Sequence, residues 1–560
     1  MNGVEEQTSE RSKTYGSDFL QLDVGDAPAG GMADWLAWRL REAIADGRLA
    51  VGGRLPPTRV LAAELRVSRG VVTEAYRRLT EDGHVEGRRR GGTVVVAAPV
   101  RAGSAAGSGG PGSGRPGSGG PRSVGSGRGG RGSGDLGAGA RGAGGPDPGG
   151  PGPGSRGSGG PGSEWPGPGR PSVFFPPAPG PDAFDALRGA PARIDLTPGL
   201  PDLAAFPRAA WLRAERAVLA ELSATDLGYG DPHGTPALRR AVAGWLARNR
   251  GIRTDPDDVV IVAGTAQALT LLHPVLRADG MEAVALEDPG SLGMRQHLEN
   301  GELDILPVPV DADGIRVDAL RATGARAVLL TPAHQFPTGA VLSGERRREL
   351  LRWAEDGGRL VLEDDYDAEH RYDRPPVPAL RAMLAERVCY MGSVSKLLAP
   401  ALRVGWVVPP PGYRDALVNA KRFTDLGNAV LPQLVLARLM ESGELERHLR
   451  LLRGRHRRRR DAMIAAVAEH LPGAVVHGAA AGLHLTVTFD GPGGRAGAGL
   501  AGVTDTELAA AALGCGVKVQ PLSWHRLRSG PPGLVLGYAA SHPDAVTEGV
   551  RLLGRALRDR

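Results

Sequence analysis

Apolar positions recur with a helical period three times within the first hundred residues. Leu36, Leu40, Ala43 and Ile44 predict a first helix, with Gly47 as its stop. After the link Val51-Gly52-Gly53-Arg54-Leu55-Pro56-Pro57, Thr58 is a candidate cap, and Leu61, Ala62 and Leu65 predict a short second helix. Val67-Ser68-Arg69-Gly70 reads as a turn. Val72, Ala75, Tyr76 and Leu79 then fall at i, i+3, i+4 and i+7, which predicts a third helix ending at Gly83. Val85 and Thr93-Val94-Val95-Val96 predict two short strands joined by the basic loop Arg88-Arg89-Arg90-Gly91-Gly92.

From Ile194 onward the pattern changes to short apolar runs between helical stretches. Val259-Val260-Ile261-Val262, Ala283-Val284-Ala285-Leu286, Ala327-Val328-Leu329-Leu330, Leu360-Val361-Leu362 and Arg387-Val388-Cys389-Tyr390-Met391-Gly392 predict strands. Val404-Gly405-Trp406-Val407-Val408 predicts a return strand. Continuous apolar runs separated by helices predict a mostly parallel α/β sheet buried on both faces. Residues of about 440–560 predict a smaller α+β unit, in which His484-Leu485-Thr486-Val487-Thr488-Phe489 alternates as a half-exposed strand would.

Between these regions the periodicity vanishes. Residues 101–170 hold 30 of the chain's 84 glycines, with isolated apolar anchors and eight arginines against three acidic residues. Such a stretch cannot bury enough surface to order itself and is expected to be a tether. A non-specific phosphate contact is the sharper alternative. The expected division is a tail over 1–32, a helical module over 33–98, a Gly/Pro/Ser/Arg-rich disordered linker over 99–190, and an α/β unit over 191–560.

Three helices and a basic hairpin make a winged helix-turn-helix layout. Its third helix would enter the major groove by its N-terminal end, where Ser68 and the free backbone N–H groups can hold a phosphate. Arg69 can reach a guanine edge, Arg59 the adjacent backbone, and Arg90, Gly91 and Gly92 form the wing. The alternative is a three-helix interaction module with a solvated arginine face; placement at a helix start and a wing tip favours DNA. The stretches Gly53-Arg54-Leu55-Pro56-Pro57-Thr58-Arg59, Leu65-x-Val67-Ser68-Arg69, Ala75-Tyr76-x-x-Leu79 and Gly91-Gly92-Thr93 resemble the GntR family of bacterial regulators over about 33–97. The resemblance implies operator binding as a dimer through Arg59, Ser68, Arg69, Gly70, Val71 and the wing.

Composition narrows the rest. Net charge is +6 and the pI about 9.6, which permits a polyanionic partner. Two cysteines, Cys389 and Cys515, without metal-ligand spacing fit a reducing cytoplasm. No secretory signal and no apolar run of membrane-spanning length is visible. Of 68 Lys+Arg, only Lys13, Lys396, Lys421 and Lys518 are lysines, so a retained lysine is expected to do what arginine cannot.

Lys396 follows a buried strand in Ser393-x-Ser395-Lys396, where desolvation would make its amine a nucleophile toward an aldehyde. The other strand ends are polar or small as well: Gly264-Thr265-Ala266-Gln267, Glu287-Asp288-Pro289-Gly290, Thr331-Pro332-Ala333-His334 and Glu363-Asp364-Asp365-Tyr366. In such sheets ligands sit at these ends. Together they suit pyridoxal 5'-phosphate. Lys396 would form the internal aldimine, Asp364 would pair with the pyridine nitrogen, and Tyr366 would meet the ring oxygen. Gly264, Thr265, Ala266, Gln267, Ser393, Ser395 and Arg403 would hold the phosphate, and His334 stands at the same rim.

The order of these motifs, with Tyr229-Gly230-x-x-x-Gly234-x-Pro236-x-Leu238-Arg239 and Pro337-Thr338-Gly339, resembles fold-type I aminotransferases. Thr331-Pro332-Ala333-His334-Gln335-Phe336-Pro337-Thr338-Gly339 with Glu363-Asp364-Asp365-Tyr366-Asp367 is similar to the MocR/GabR subfamily, a GntR winged helix fused to such a domain. The resemblance implies a head-to-tail homodimer in which Tyr229 reaches the partner's phosphate site. Three positions depart from aminotransferases. Ser291 replaces a ring-stacking aromatic, Phe336 replaces an asparagine (as the subfamily typically has), and Val535 stands where an arginine grips the substrate carboxylate. The first expectation is a DNA-binding regulator that senses PLP or an amine or amino-acid metabolite. An active aminotransferase with an accessory DNA domain is the second, and a DNA-binding protein whose second domain only dimerises is the third.

Overall fold

The computed structural model describes residues 24, 27–28, 31–45, 48–82, 84–88, 92–96, 171–372, 377–489 and 503–558. Gly47, Gly83, Arg89, Arg90, Gly91 and the 101–170 stretch lie outside them.

The N-terminal module comprises α1 (Met32–Ala45), α2 (Thr58–Glu64) and α3 (Arg69–Glu81), then the antiparallel pair β1 (Val85–Arg88) and β2 (Gly92–Val95). The periodic residues are the ones buried: Leu36, Leu40, Ile44, Leu61, Val72, Ala75, Leu79 and Val85 share one core. Ser68 caps α3 by accepting the Val71 N–H at 3.4 Å. Thr58 does not cap α2; it is the first helical residue, and Pro57 stands at the cap with extended backbone. The Pro56-Pro57 pair fixes the chain's entry so that no side-chain cap is used.

The linker expected to run to 190 ends earlier. A 3₁₀ turn occupies Pro171–Phe174 and a helix Ala183–Gly189, with Phe175 and Leu187 buried in the core of the C-terminal unit. Phe174, Phe175, Phe184 and Leu187 supply the apolar anchors that residues 101–170 lack.

The strands that follow are β3 (Ile194–Asp195), β4 (Val260–Val262), β5 (Ala283–Asp288), β6 (Asp304–Asp311), β7 (Gly314–Ile315), β8 (Ala327–Leu330), β9 (Leu360–Asp365), β10 (Val388–Ser393) and β11 (Gly405–Val408). Apart from β3 they form one eight-stranded sheet in the order β4-β11-β10-β9-β8-β5-β6-β7. Its centre, β10-β9-β8-β5-β6, is parallel, and β11 runs antiparallel between β10 and β4. The helices on its faces complete buried clusters around Leu269, Leu272 and Leu362 on one side and Trp353, Leu350 and Val361 on the other.

The smaller unit contains β12 (Val475–His477), β13 (His484–Thr488), β14 (Val517–Lys518), β15 (Gln520–Pro521) and β16 (Gly533–Gly537). Its sheet runs β12-β13-β16-β15, and β14 pairs in parallel with β3. β13 differs from expectation: all five residues are buried. Leu485 and Val487 enter the domain core, while His484 Nε2 and Thr486 Oγ1 meet the Pro337 carbonyl oxygen of the larger domain. The polar half of the alternation faces protein rather than water.

The N-terminal module meets the large domain around a cavity of about 340 Å³. Trp38, Arg41, Arg78 and Asp82 line one side, and Arg248, Arg250, Gly251 and Val377 the other. Among the described residues no helix is long and apolar enough to cross a membrane.

Candidate functional site

The carboxyl ends of β4, β9 and β10 open on a cavity of about 530 Å³. Gly264 follows β4 with φ +88°, a conformation that favours glycine, and the helix Thr265–Ala278 starts directly after it. The first N–H groups of that helix have no intrahelical acceptor and point at the cavity end. Arg403, itself left-handed at φ +50°, brings its guanidinium back over this turn. A Cβ on Gly264 would lie 3.5 Å from Arg403 Nη1. Gly264, Thr265, Ala266, Ser393, Ser395 and Arg403 all line the cavity and form an anion cradle.

Asp364 stands near the end of β9, 3% exposed, and accepts a hydrogen bond from Thr265 Oγ1 at 3.0 Å. Burial pushes its carboxyl up to about 7; the Thr265 bond and Lys396 pull the other way, while Asp365 and Asp367 add to the rise. Lys396 follows β10 and donates from Nζ to the Gly199 carbonyl. Burial lowers its amine below the ordinary lysine value against the pull of Asp364 and Asp367. A buried carboxyl group with no ion pair among the described residues and a desolvated amine face the same cavity. That donor set, with the anion cradle beside it, fits a pyridine ring that carries a phosphate and an aldehyde.

Tyr366 also lines the cavity. Its hydroxyl lies 3.0 Å from His334 Nδ1, which is 2.9 Å from Asp367 Oδ2. Burial first, then the charges of Asp367 and Asp364, hold the Tyr366 phenol protonated. Behind Asp364, the Asp365 carboxylate is buried against Arg250 Nε at 2.5 Å and accepts from the Tyr390 hydroxyl at 2.7 Å. Donor atoms of His334, Asp367 and His484 lie within 4.8 Å of one another. The His334–Asp367 and His484–Pro337 hydrogen bonds account for their approach.

Three expected residues are not among those lining this chain's own cavity, Tyr229 being the one expected to serve a partner's. Gln267 turns away from the cavity: its Oε1 accepts the Ala263 N–H at 2.7 Å and its Nε2 donates to Asp425 at 2.6 Å. His334 sits behind Tyr366 rather than at the rim. Tyr229 is 95% exposed, away from its own chain's pocket. The departures have concrete roles. Ser291 caps the helix Leu292–Asn300, Phe336 packs edge-on to Tyr366 and His525, and Val535 is fully buried. Sequence reasoning gave Asp367, Arg250 and Lys518 no site role, although Asp367 closes the quoted acidic motif and Lys518 is one of the four retained lysines.

On the N-terminal module, Arg59, Ser68, Arg69 and Gly70 are exposed and Val71 is half-buried against the core. Arg69 Nε reaches Thr58 Oγ1 at 3.5 Å, which ties the starts of α2 and α3 together. Gly92 opens β2 with φ +72°.

The fold and pocket define an aminotransferase class I and II domain, whose family model matches residues 193–549; the bacterial gntR regulatory family matches 33–95. The chain is 31% identical to the probable rhizopine catabolism regulatory protein MocR of Rhizobium meliloti, over 93% of this chain and 92% of that one. It is 30% identical to the pyridoxine biosynthesis transcriptional regulator PdxR of Corynebacterium glutamicum, over 54% of this chain and 65% of that one. The structure of LysN, the α-aminoadipate aminotransferase of Thermus thermophilus, complexed with N-(5'-phosphopyridoxyl)-L-leucine, superposes with a TM-score of 0.60. It is 28% identical and covers 67% of this chain and 94% of its own. The chain therefore belongs to the MocR subfamily of GntR regulators, HTH-type transcriptional regulators with an aminotransferase-like domain.

Proposed function

We propose that this chain binds pyridoxal 5'-phosphate covalently at Lys396 and couples occupancy of that pocket to operator recognition by α3. The observation that carries the reading is Lys396 and Asp364 facing one cavity beside the Gly264–Arg403 cradle. Bound there, the cofactor supplies an electrophilic carbon that answers to amines. The residues divide the work. Arg403, Ser393, Ser395 and the N–H groups of Thr265 and Ala266 hold the phosphate. Asp364 holds a proton on the ring nitrogen, Thr265 orients Asp364, and Tyr366 donates to the ring oxygen.

A regulator is favoured over an efficient transaminase by Val535. A fully buried valine cannot grip a substrate carboxylate. A second copy of the chain completes the site. Tyr229, Phe423, Leu227 and Leu426 are 95%, 82%, 67% and 55% exposed, an apolar surface suited to a homodimer in which Tyr229 enters the partner's cradle. Binding to operator DNA places the protein in the cytoplasm.

The test is twofold. Purified protein should show a visible cofactor band with PLP, and its affinity for DNA selected from random sequence should change when PLP is bound. An absent band would favour a dimerisation-only domain; steady amino-acid turnover would favour the enzyme.

A further inference from the structure

Among the described lysines, Lys396 faces the pocket and Lys421 is buried against Asp425, at 2.9 and 3.0 Å. Lys518 is the remaining one. We propose that Lys518 is the anchor for an acidic group on the effector, so that the pocket answers to amino acids in preference to simple amines. This rests on the reading of the pocket as an amine-responsive PLP site.

The register carries the argument. Val517 and Val519 enter the core of the small domain, so Lys518 and Gln520 project from the opposite face, and both line the cavity that holds Lys396. Gln520 lies directly opposite Val535 in the β15–β16 ladder. Lys518 lies two residues before Gln520, on β14, which pairs with β3 rather than β16, and it places on the cavity lining a cation that Val535 does not supply.

Lys518 has two contacts and one N–H group beyond them. The residue is 4% exposed. Its Nζ donates to the Arg188 carbonyl at 3.1 Å and lies 3.6 Å from Asp195 Oδ2. Asp195 Oδ1 accepts from Thr197 N and Oγ1 at 2.9 and 2.6 Å, and its Oδ2 is the oxygen ion-paired with Lys518. An ammonium carries three N–H groups; one meets the Arg188 carbonyl, one faces Asp195 Oδ2, and the third finds no acceptor among the described residues. A buried ammonium with one donor open to a cavity recognises a carboxylate.

The experiment uses full-length protein loaded with PLP and titrated with L-alanine, β-alanine, γ-aminobutyrate and propylamine, followed through the cofactor's visible absorption. Wild type should bind at least one of the three amino acids about tenfold or more tighter than propylamine. Lys518→Met should load PLP normally and lose that ratio, and Lys518→Arg should keep part of it. Lys518→Gln keeps a polar side chain, should behave as Lys518→Met does, and covers the case in which the apolar variant fails to fold. A normally loaded Lys518→Met or Lys518→Gln that keeps the ratio overturns the assignment while leaving the cofactor reading intact. So does a loaded wild type with no preference for the acids. Wild type that takes up no PLP removes both.

Discussion

Asp364 and Lys396 are displaced in opposite directions by one cause, removal from water, and the cofactor-free pocket bears that cost. A carboxyl held at about 7 when folded, against its ordinary value near 4, stabilises the fold below pH 4. That contribution is lost as pH rises through 7. Asp364→Asn should therefore gain in stability over wild type as pH is raised from 5 to 8 without PLP, by on the order of a few kcal/mol, read as a rising difference in melting temperature. The same variant should bind PLP more weakly, because nothing then holds a proton on the ring nitrogen. A pH-independent difference in melting would show that Asp364 is not the group that titrates. Lys396→Ala should keep a wild-type circular dichroism spectrum and lose the visible cofactor band; a borohydride-reducible adduct surviving in it would move the attachment elsewhere. His334 was legible only as a name at a strand end. Its contact with Tyr366 needed two loops, so its position behind that ring could not be read from spacing.

The elements were legible wherever a periodic pattern met a buried face. β8 spans the four residues expected, and β9 and β10 run on into the acidic and serine residues that the pattern placed after them. Helical rotation explains Gln267. It is the third residue of its helix, and at about 100° per residue it has turned off the face that Thr265 and Ala266 present. β13 was misread because alternation cannot tell water from a neighbouring domain. The start of α3 makes the sharpest prediction at this scale. Arg69→Ala should cost about 1–3 kcal/mol on operator DNA and relax sequence preference, since a base contact is lost. Arg59→Ala should weaken specific and random DNA alike and reduce the salt dependence. Filter binding at several salt concentrations separates the two, and equal losses for Arg69→Ala on both DNAs would make it a phosphate clamp.

In the whole molecule, the exposed patch around Tyr229 and Phe423 predicts a dimer. Phe423→Asp should shift the protein toward monomer on gel filtration and weaken PLP binding together, the outcome expected of the proposed dimer in which Tyr229 serves the partner's pocket. Loss of the dimer with unchanged PLP affinity would show that each pocket is complete alone. Deleting half of residues 101–170 should leave PLP and DNA binding intact and change which half-site spacings are accepted, measured on operators of graded spacing. Loss of every effect of PLP on DNA would make that segment a transmitter. Composition drew the linker's far edge too late, because four aromatic and apolar residues among prolines outweigh the prolines. That edge bears on how the chain is made. Ile194 pairs with Val517, and Phe175 and Leu187 pack into a core completed by Val546 and Leu553. On the ribosome, these early residues emerge long before their partners and must wait, apolar and uncovered, until nearly the last helix has been translated. The small domain is thus the final piece to close, and a stalled or truncated message yields a large domain with a bare strap rather than a working half.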